Sequence, residues 1–83
     1  MQLARLKAAK QKTVGLKQTQ KALEKGLVKL VFIADDAEQH VTRPLLKLCS
    51  ERDVPVEQVT TMEELGKACG IEVGAATAAI VED

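Results

Sequence analysis

The sequence predicts an α/β fold, a three-layer α/β/α sandwich with a mixed sheet, on three observations. Segments of helical period alternate along the chain with short β-rich segments. The run LVFIA at residues 30–34 is continuously apolar, as a strand covered on both faces must be. The closing segment AATAAIV carries the small side chains that suit a central strand crowded by helices on both sides. Parallel pairs in such a sheet require helical crossovers. The 83 residues, taken as one domain over 1–83, bury roughly 60% of the extended chain's surface.

Leu3 and Leu6, with Ala4, Ala8 and Ala9, predict a first helix through about Lys12 whose thin apolar stripe packs along one edge. Thr13, Val14 and Gly15 follow as an extended or turn segment. Leu16, Thr19, Ala22 and Leu23 recur at spacings of three and four, giving a second helix ended by Gly26. After the strand at 30–34, Asp35 and Asp36 terminate it in an acidic turn. Thr42 is the expected N-cap of a third helix, with Pro44 early enough for its missing N–H to do little harm. Leu45, Leu46, Leu48 and Cys49 supply that helix's buried side, and it stops near Asp53. A short extended segment spans 54–59. Thr61 and Glu64 form a capping box for a fourth helix, with Met62 and Leu65 inward and Gly66 keeping it short.

Charge is unevenly distributed. Twelve bases balance twelve acids overall, yet residues 1–29 hold eight Lys or Arg against Glu24 alone, a net +7. Residues 30–83 carry the compensating −7. Lys17, Lys21 and Lys25 stand four residues apart on one helix face, where like charges repel by a few tenths of a kcal/mol per pair. An external polyanion offsets that cost. With Phe32 the only aromatic residue, base stacking on aromatic side chains is excluded as the main binding device.

Catalysis has little to work with. His40 is the only histidine, Cys69 the only cysteine beside the glycine-rich loop, and neither has a positioned partner in the sequence. Cys49, Cys69 and His40 match no compact metal pattern, adjacent Asp35 and Asp36 read as turn or helix initiation, and no dinucleotide or Walker glycine pattern calls for a cofactor. Both cysteines are expected to be reduced. No apolar stretch is long enough to cross a bilayer, so the expectation is a cytoplasmic, monomeric protein without a membrane partner.

The helix start at Gly15 is the strongest functional feature. Free N–H groups at such a terminus suit a phosphate or a base edge, and Lys17 in the first turn opposes the helix dipole unless an anion is bound. Gln18 presents both donor and acceptor, which charge alone cannot supply. In the 70–74 loop, Ile71 and Val73 either pack on a flipped base or cover the core.

On these residues the chain resembles the kink-turn RNA-binding family typified by the archaeal large-subunit ribosomal protein L-seven-Ae, and more specifically its short bacterial relatives. Gly15, Lys17, Gln18 and Lys21 match its G-x-N-E-x-x-K motif in a K-Q version, and LGKACGIEVGAA at 65–76 matches its second motif. The resemblance implies a sandwich that binds sharply bent RNA containing tandem sheared G·A pairs, whether ribosomal RNA, a riboswitch or another kinked RNA. It assigns Gly15 to close backbone approach, and Lys17 and Gln18 to the guanine edges. Lys21 goes to the same base region or an adjacent phosphate, and Ile71, Glu72 and Val73 to the loop receiving an extruded nucleotide. Two departures bear on recognition: Lys17 only donates where the archaeal asparagine does both, and Gln18 accepts without the charge of glutamate. The competing class is a protein-interaction or structural module using the acidic 35–64 face.

Overall fold

The computed structural model describes residues 3–83. Their elements run α1 (Leu3–Ala8), β1 (Gln11–Val14), α2 (Leu16–Glu24), β2 (Leu30–Ala34), α3 (Gln39–Glu51), β3 (Val56–Val59), α4 (Met62–Ala68) and β4 (Thr77–Glu82). The strands form one sheet in the order β1-β4-β2-β3. β4 lies antiparallel to both β1 and β2, while β2 and β3 are parallel and joined through α3. The sheet is mixed, as expected.

Side-chain alternation sorts the core into two layers. Leu30, Phe32 and Ala34 of β2, with Ala78 and Ile80 of β4, pack against Leu6 of α1 and Leu65 and Ala68 of α4. Val31, Ile33 and Ala79 face the opposite way, against Leu23 of α2 and Leu45 and Cys49 of α3. Every residue of β2 is buried, which explains its unbroken apolar run. β4 is the central strand that its alanines foretold, and Ala78 and Ala79 are fully buried between the helical layers.

Leu46, expected on the buried side of α3, is exposed, and two boundary expectations are corrected. The first helix does not reach Lys12: it ends at Ala8, and residues from Gln11 form an edge strand bonded to β4 with a register shift between Gln11 and Lys12. Lys12 instead donates from Nζ to the carbonyl of Lys7 at 3.2 Å, satisfying an acceptor at the end of α1. Likewise Thr42 is not an N-cap. α3 begins a turn earlier at Gln39 with Glu38 as its N-cap, so Thr42 is buried inside the helix and Pro44 lies in its interior. The helix carries the lost N–H of Pro44 because Leu45 and Cys49 remain anchored in the core on the same face.

Other boundaries follow local chemistry. α2 ends with Gly26 at φ 72°, where Gly26 N–H donates to Leu23 and Leu27 N–H to Ala22, the double bond pattern of a glycine-terminated helix. α3 ends near Asp53, which adopts φ 55° in the glycine role. Thr61 caps α4 by accepting from Glu64 N–H at 3.1 Å, and Asp36 accepts from Met62 N–H at 2.8 Å. One of the two acidic residues after β2 thus does initiate a helix.

Candidate nucleic-acid interface

Gly15 is the hinge between β1 and α2. Its φ of 88° and ψ of 167° lie where side chains are strained, although nothing stands within 4 Å of a Cβ built there. Glycine is required for backbone conformation rather than for space. Its N–H donates to Thr77 carbonyl at 2.8 Å, fastening the helix start to the first residue of β4. Beneath it, the hydroxyls of Thr13 and Thr19 bond at 2.8 Å, and Thr19 is fully buried. The start of α2 is therefore seated on the sheet, while its first-turn amides lack intrahelical partners.

Lys17 and Gln18 are exposed in that first turn, and Lys21 is exposed one turn on. Gln18 Oε1 accepts from Val14 N–H at 3.2 Å. This bond holds the amide oxygen against the strand, leaving one of its lone pairs and the NH₂ without a partner among the described residues. The structure thus gives Gln18 a positioning contact that the sequence did not reveal. Lys17, Lys21 and Lys25 are all exposed on the predicted line, and among the described residues no carboxylate pairs with them.

The 70–74 loop leads directly into β4, so it lies at the end of the sheet where Gly15 binds Thr77. Sequence reasoning treated Ile71 and Val73 alike; the fold separates them. Ile71 is half-buried against the core, and its N–H donates to Gly66 carbonyl at 3.1 Å. Val73 is 71% exposed, and Glu72 is exposed beside it. Val73 is therefore the apolar side chain free to meet a ligand, and Ile71 is its anchor.

Gly66 is the residue whose importance the sequence concealed. A Cβ there falls inside hard contact with the carbonyl oxygen of Val73, 3.1 Å from Val73 C and 3.2 Å from Gly74 Cα. α4 and the loop touch backbone to backbone, with Ala75 N–H donating to Met62 carbonyl at 3.0 Å. A glycine inside a helical pattern is the signal for such an approach, and here it accounts for more than the shortness of the helix.

The surroundings of both cysteines favour the protonated thiol. Burial pushes Cys49 up, and burial pushes Cys69 up against a smaller opposing effect of Lys12. Among the described residues no cluster of His, Cys, Asp and Glu is suited to a metal ion, and no helix is long and apolar enough to cross a membrane.

A seated helix start, a lysine line and a glycine-bounded loop at one sheet end define a small α/β/α module for binding a polyanion. Over residues 1–83 the chain matches the Ribosomal protein L7Ae/L30e/S12e/Gadd45 family, and it belongs to that family. It is 49% identical over 70 residues to an RNA-binding protein of Caldanaerobacter subterraneus subsp. tengcongensis, covering 84% of this chain and 85% of the relative. An RNA-binding protein of Halalkalibacterium halodurans is 49% identical over 67 residues, covering 81% and 82%. Among solved structures, a protein of unknown function from Bacillus halodurans C superimposes with TM-score 0.84 at 30% identity, covering 96% of this chain and 80% of that one. The Giardia lamblia 15.5kD RNA binding protein shares the fold with TM-score 0.86 at 24% identity, covering 98% and 68%. Both of these curated relatives are RNA-binding proteins.

Proposed function

We propose that this protein stabilises a kink-turn in RNA, with the start of α2 set against the tandem sheared G·A pairs and the 70–74 loop against an extruded nucleotide. The observation that carries the reading is the joint attachment of the two motifs to one strand end: Gly15 is bonded to Thr77, and the loop enters β4 at that same residue. A bent RNA presents base edges and an unstacked base close together, which a straight duplex does not. The RNA-binding relatives support the ligand class, and the matched residues Gly15, Lys17, Gln18 and Lys21 support the finer assignment.

Each group has a task. Lys17 and the first-turn amides attract phosphate or acceptor atoms, and binding relieves the unfavourable lysine at the positive end of the dipole. Gln18 reads guanine edges through its amide, Lys21 neutralises an adjacent phosphate, and Val73 covers the flipped base. Recognition is chiefly of shape, by a monomer acting in the cytoplasm on ribosomal RNA or a riboswitch element. Titration against a kink-turn RNA and the same RNA with its G·A pairs replaced tests this directly. Strong preference for the intact kink is expected; equal weak affinity for both overturns the kink-specific reading.

A further inference from the structure

Between β1 and α2 runs a groove of about 580 Å³ that extends beyond the residues assigned above. Gln18 and Lys21 stand on its wall, continuous with the kink-binding end, while Lys10, Lys25, Leu27 and Val81 line the remainder. Leu27 is one of few large apolar side chains left exposed, at 52%. Its bland role is the hydrophobic contact that closes a glycine-terminated helix, and here the opposite residue is Ala22. Alanine is too small to cover a leucine, so half of Leu27 remains open to the groove. Around this apolar floor stand Lys10, Lys21 and Lys25, none paired with a carboxylate among the described residues. Asp83, the acid just beyond β4, is occupied by Arg5 at 2.9 Å and Lys29 at 3.7 Å. Lys12 also borders the groove, but its ammonium is turned to the Lys7 carbonyl and is not counted among the free cations.

An apolar floor flanked by unpaired cations suits a group with one flat apolar part and one anionic part. We infer that this groove binds a single-stranded nucleotide of the RNA flanking the kink, its base against Leu27 and Val81 and its phosphate between Lys10 and Lys25. A phosphate track alone would leave the exposed Leu27 without use, and an apolar peptide would leave three lysines desolvated without counter-charge. The inference rests on the RNA-binding reading above, and it extends the footprint from the kink to an unpaired strand leaving it.

The test uses the full chain and fluorescence anisotropy with four RNAs: a blunt kink-turn, the same RNA with a three-nucleotide 5′ tail, one with a three-nucleotide 3′ tail, and a blunt RNA with disrupted G·A pairs. Wild type is expected to bind one tailed RNA about five- to tenfold more tightly than the blunt kink, the scale of covering half a leucine side chain and adding one phosphate contact. Lys10→Gln and, separately, Leu27→Ser should each remove most of that gain while preserving the preference for intact over disrupted kinks. Lys10→Gln is exposed and does not depend on helix closure, so it decides the question if Leu27→Ser proves unstable. No gain with either tail, or a full gain in Lys10→Gln, overturns the inference. Loss of preference between the two blunt RNAs in wild type would instead overturn the kink reading, and the two failures are read from different pairs of curves.

Discussion

Replacing Gly66 by alanine should separate the loop from its helix, and the structure gives the size of the effect. The new Cβ meets the Val73 carbonyl oxygen inside hard contact and lies 3.1 Å from Val73 C and 3.2 Å from Gly74 Cα. Restoring a normal separation moves the 73–74 backbone outward by on the order of 1 Å. Overpacking of this kind costs roughly 1–3 kcal/mol, and weakening the bonds from Ile71 N–H to Gly66 and Ala75 N–H to Met62 costs about 1 kcal/mol more. Alanine regains about 1 kcal/mol through helix propensity. The net expectation is a destabilisation of roughly 1–3 kcal/mol, or a Tm lower by about 5–20 °C. RNA affinity should fall about tenfold or more in material still folded, since Val73 is carried away from its position. Because the clashing atom is a main-chain oxygen, Val73→Ala added to Gly66→Ala should rescue nothing. Thermal unfolding by circular dichroism with anisotropy titration at 10 °C below the variant's Tm measures both. A Gly66→Ala protein with raised Tm and unchanged affinity would refute the backbone contact as the determinant of loop position.

Lys21→Ala should weaken binding to related RNAs alike and lower the salt slope by about one, whereas Gln18→Ala should cost roughly 1–3 kcal/mol of discrimination at unchanged slope. Gln18→Glu keeps the bond to Val14 and places an acid at the helix start, so its Tm should rise by the few degrees that about 0.3–1 kcal/mol allows, with sharper discrimination between intact and G·A-disrupted RNAs. Val73→Ser should reduce RNA affinity with little change in Tm, while Ile71→Ala should lower Tm because its side chain packs on the core. The Arg5 guanidinium beside Asp83 holds that carboxyl below the usual range, with Lys29 assisting, and the same pair raises Arg5. A depressed carboxylate contributes stability above its unfolded pKa and loses it as pH falls through the folded value, so the Tm difference between wild type and Asp83→Asn should be constant near neutrality, begin to shrink as pH falls past about 3.9, and vanish only below the depressed folded value. With both thiols pushed up by burial, alkylation of Cys49 and Cys69 at neutral pH should be slower than that of a free cysteine in mass-spectrometric time courses.

What could be read from the sequence was what local chemistry decides. The unbroken apolar run of β2, the Thr61 cap, the stop at Gly26 and the charge line on α2 each depend on neighbours within a turn, and each stands where it was expected. β1 was missed because three of its four residues are polar and its hydrogen bonds come from β4 at the far end of the chain. The start of α3 was misplaced for a related reason: Thr42 resembles a cap, but burial of Leu45 and Cys49 against the sheet extends the helix backwards past Pro44.

The candidate site divides along the same boundary. Residue types at Gly15, Lys17, Gln18 and Lys21 state their chemistry directly, since a glycine, two cations and an amide at a helix start are the groups that the proposed anion and base-edge site needs. The role of Gln18 toward Val14 and the inequality of Ile71 and Val73 depend on which atoms the fold brings together. Two bonds explain how segments so distant in sequence present one surface: Gly15 N–H to Thr77 ties the helix start to β4, and Ile71 N–H to Gly66 ties the loop to α4 just before β4 begins. Both halves are thus fixed relative to β4, a central strand whose Ala78, Ala79 and Ile80 are fully enclosed. Small residues at 78 and 79 admit helices closely on both faces of that strand, and this close packing fixes the spacing between the basic helix and the loop, which the proposed kink-turn reading requires a bent RNA to match.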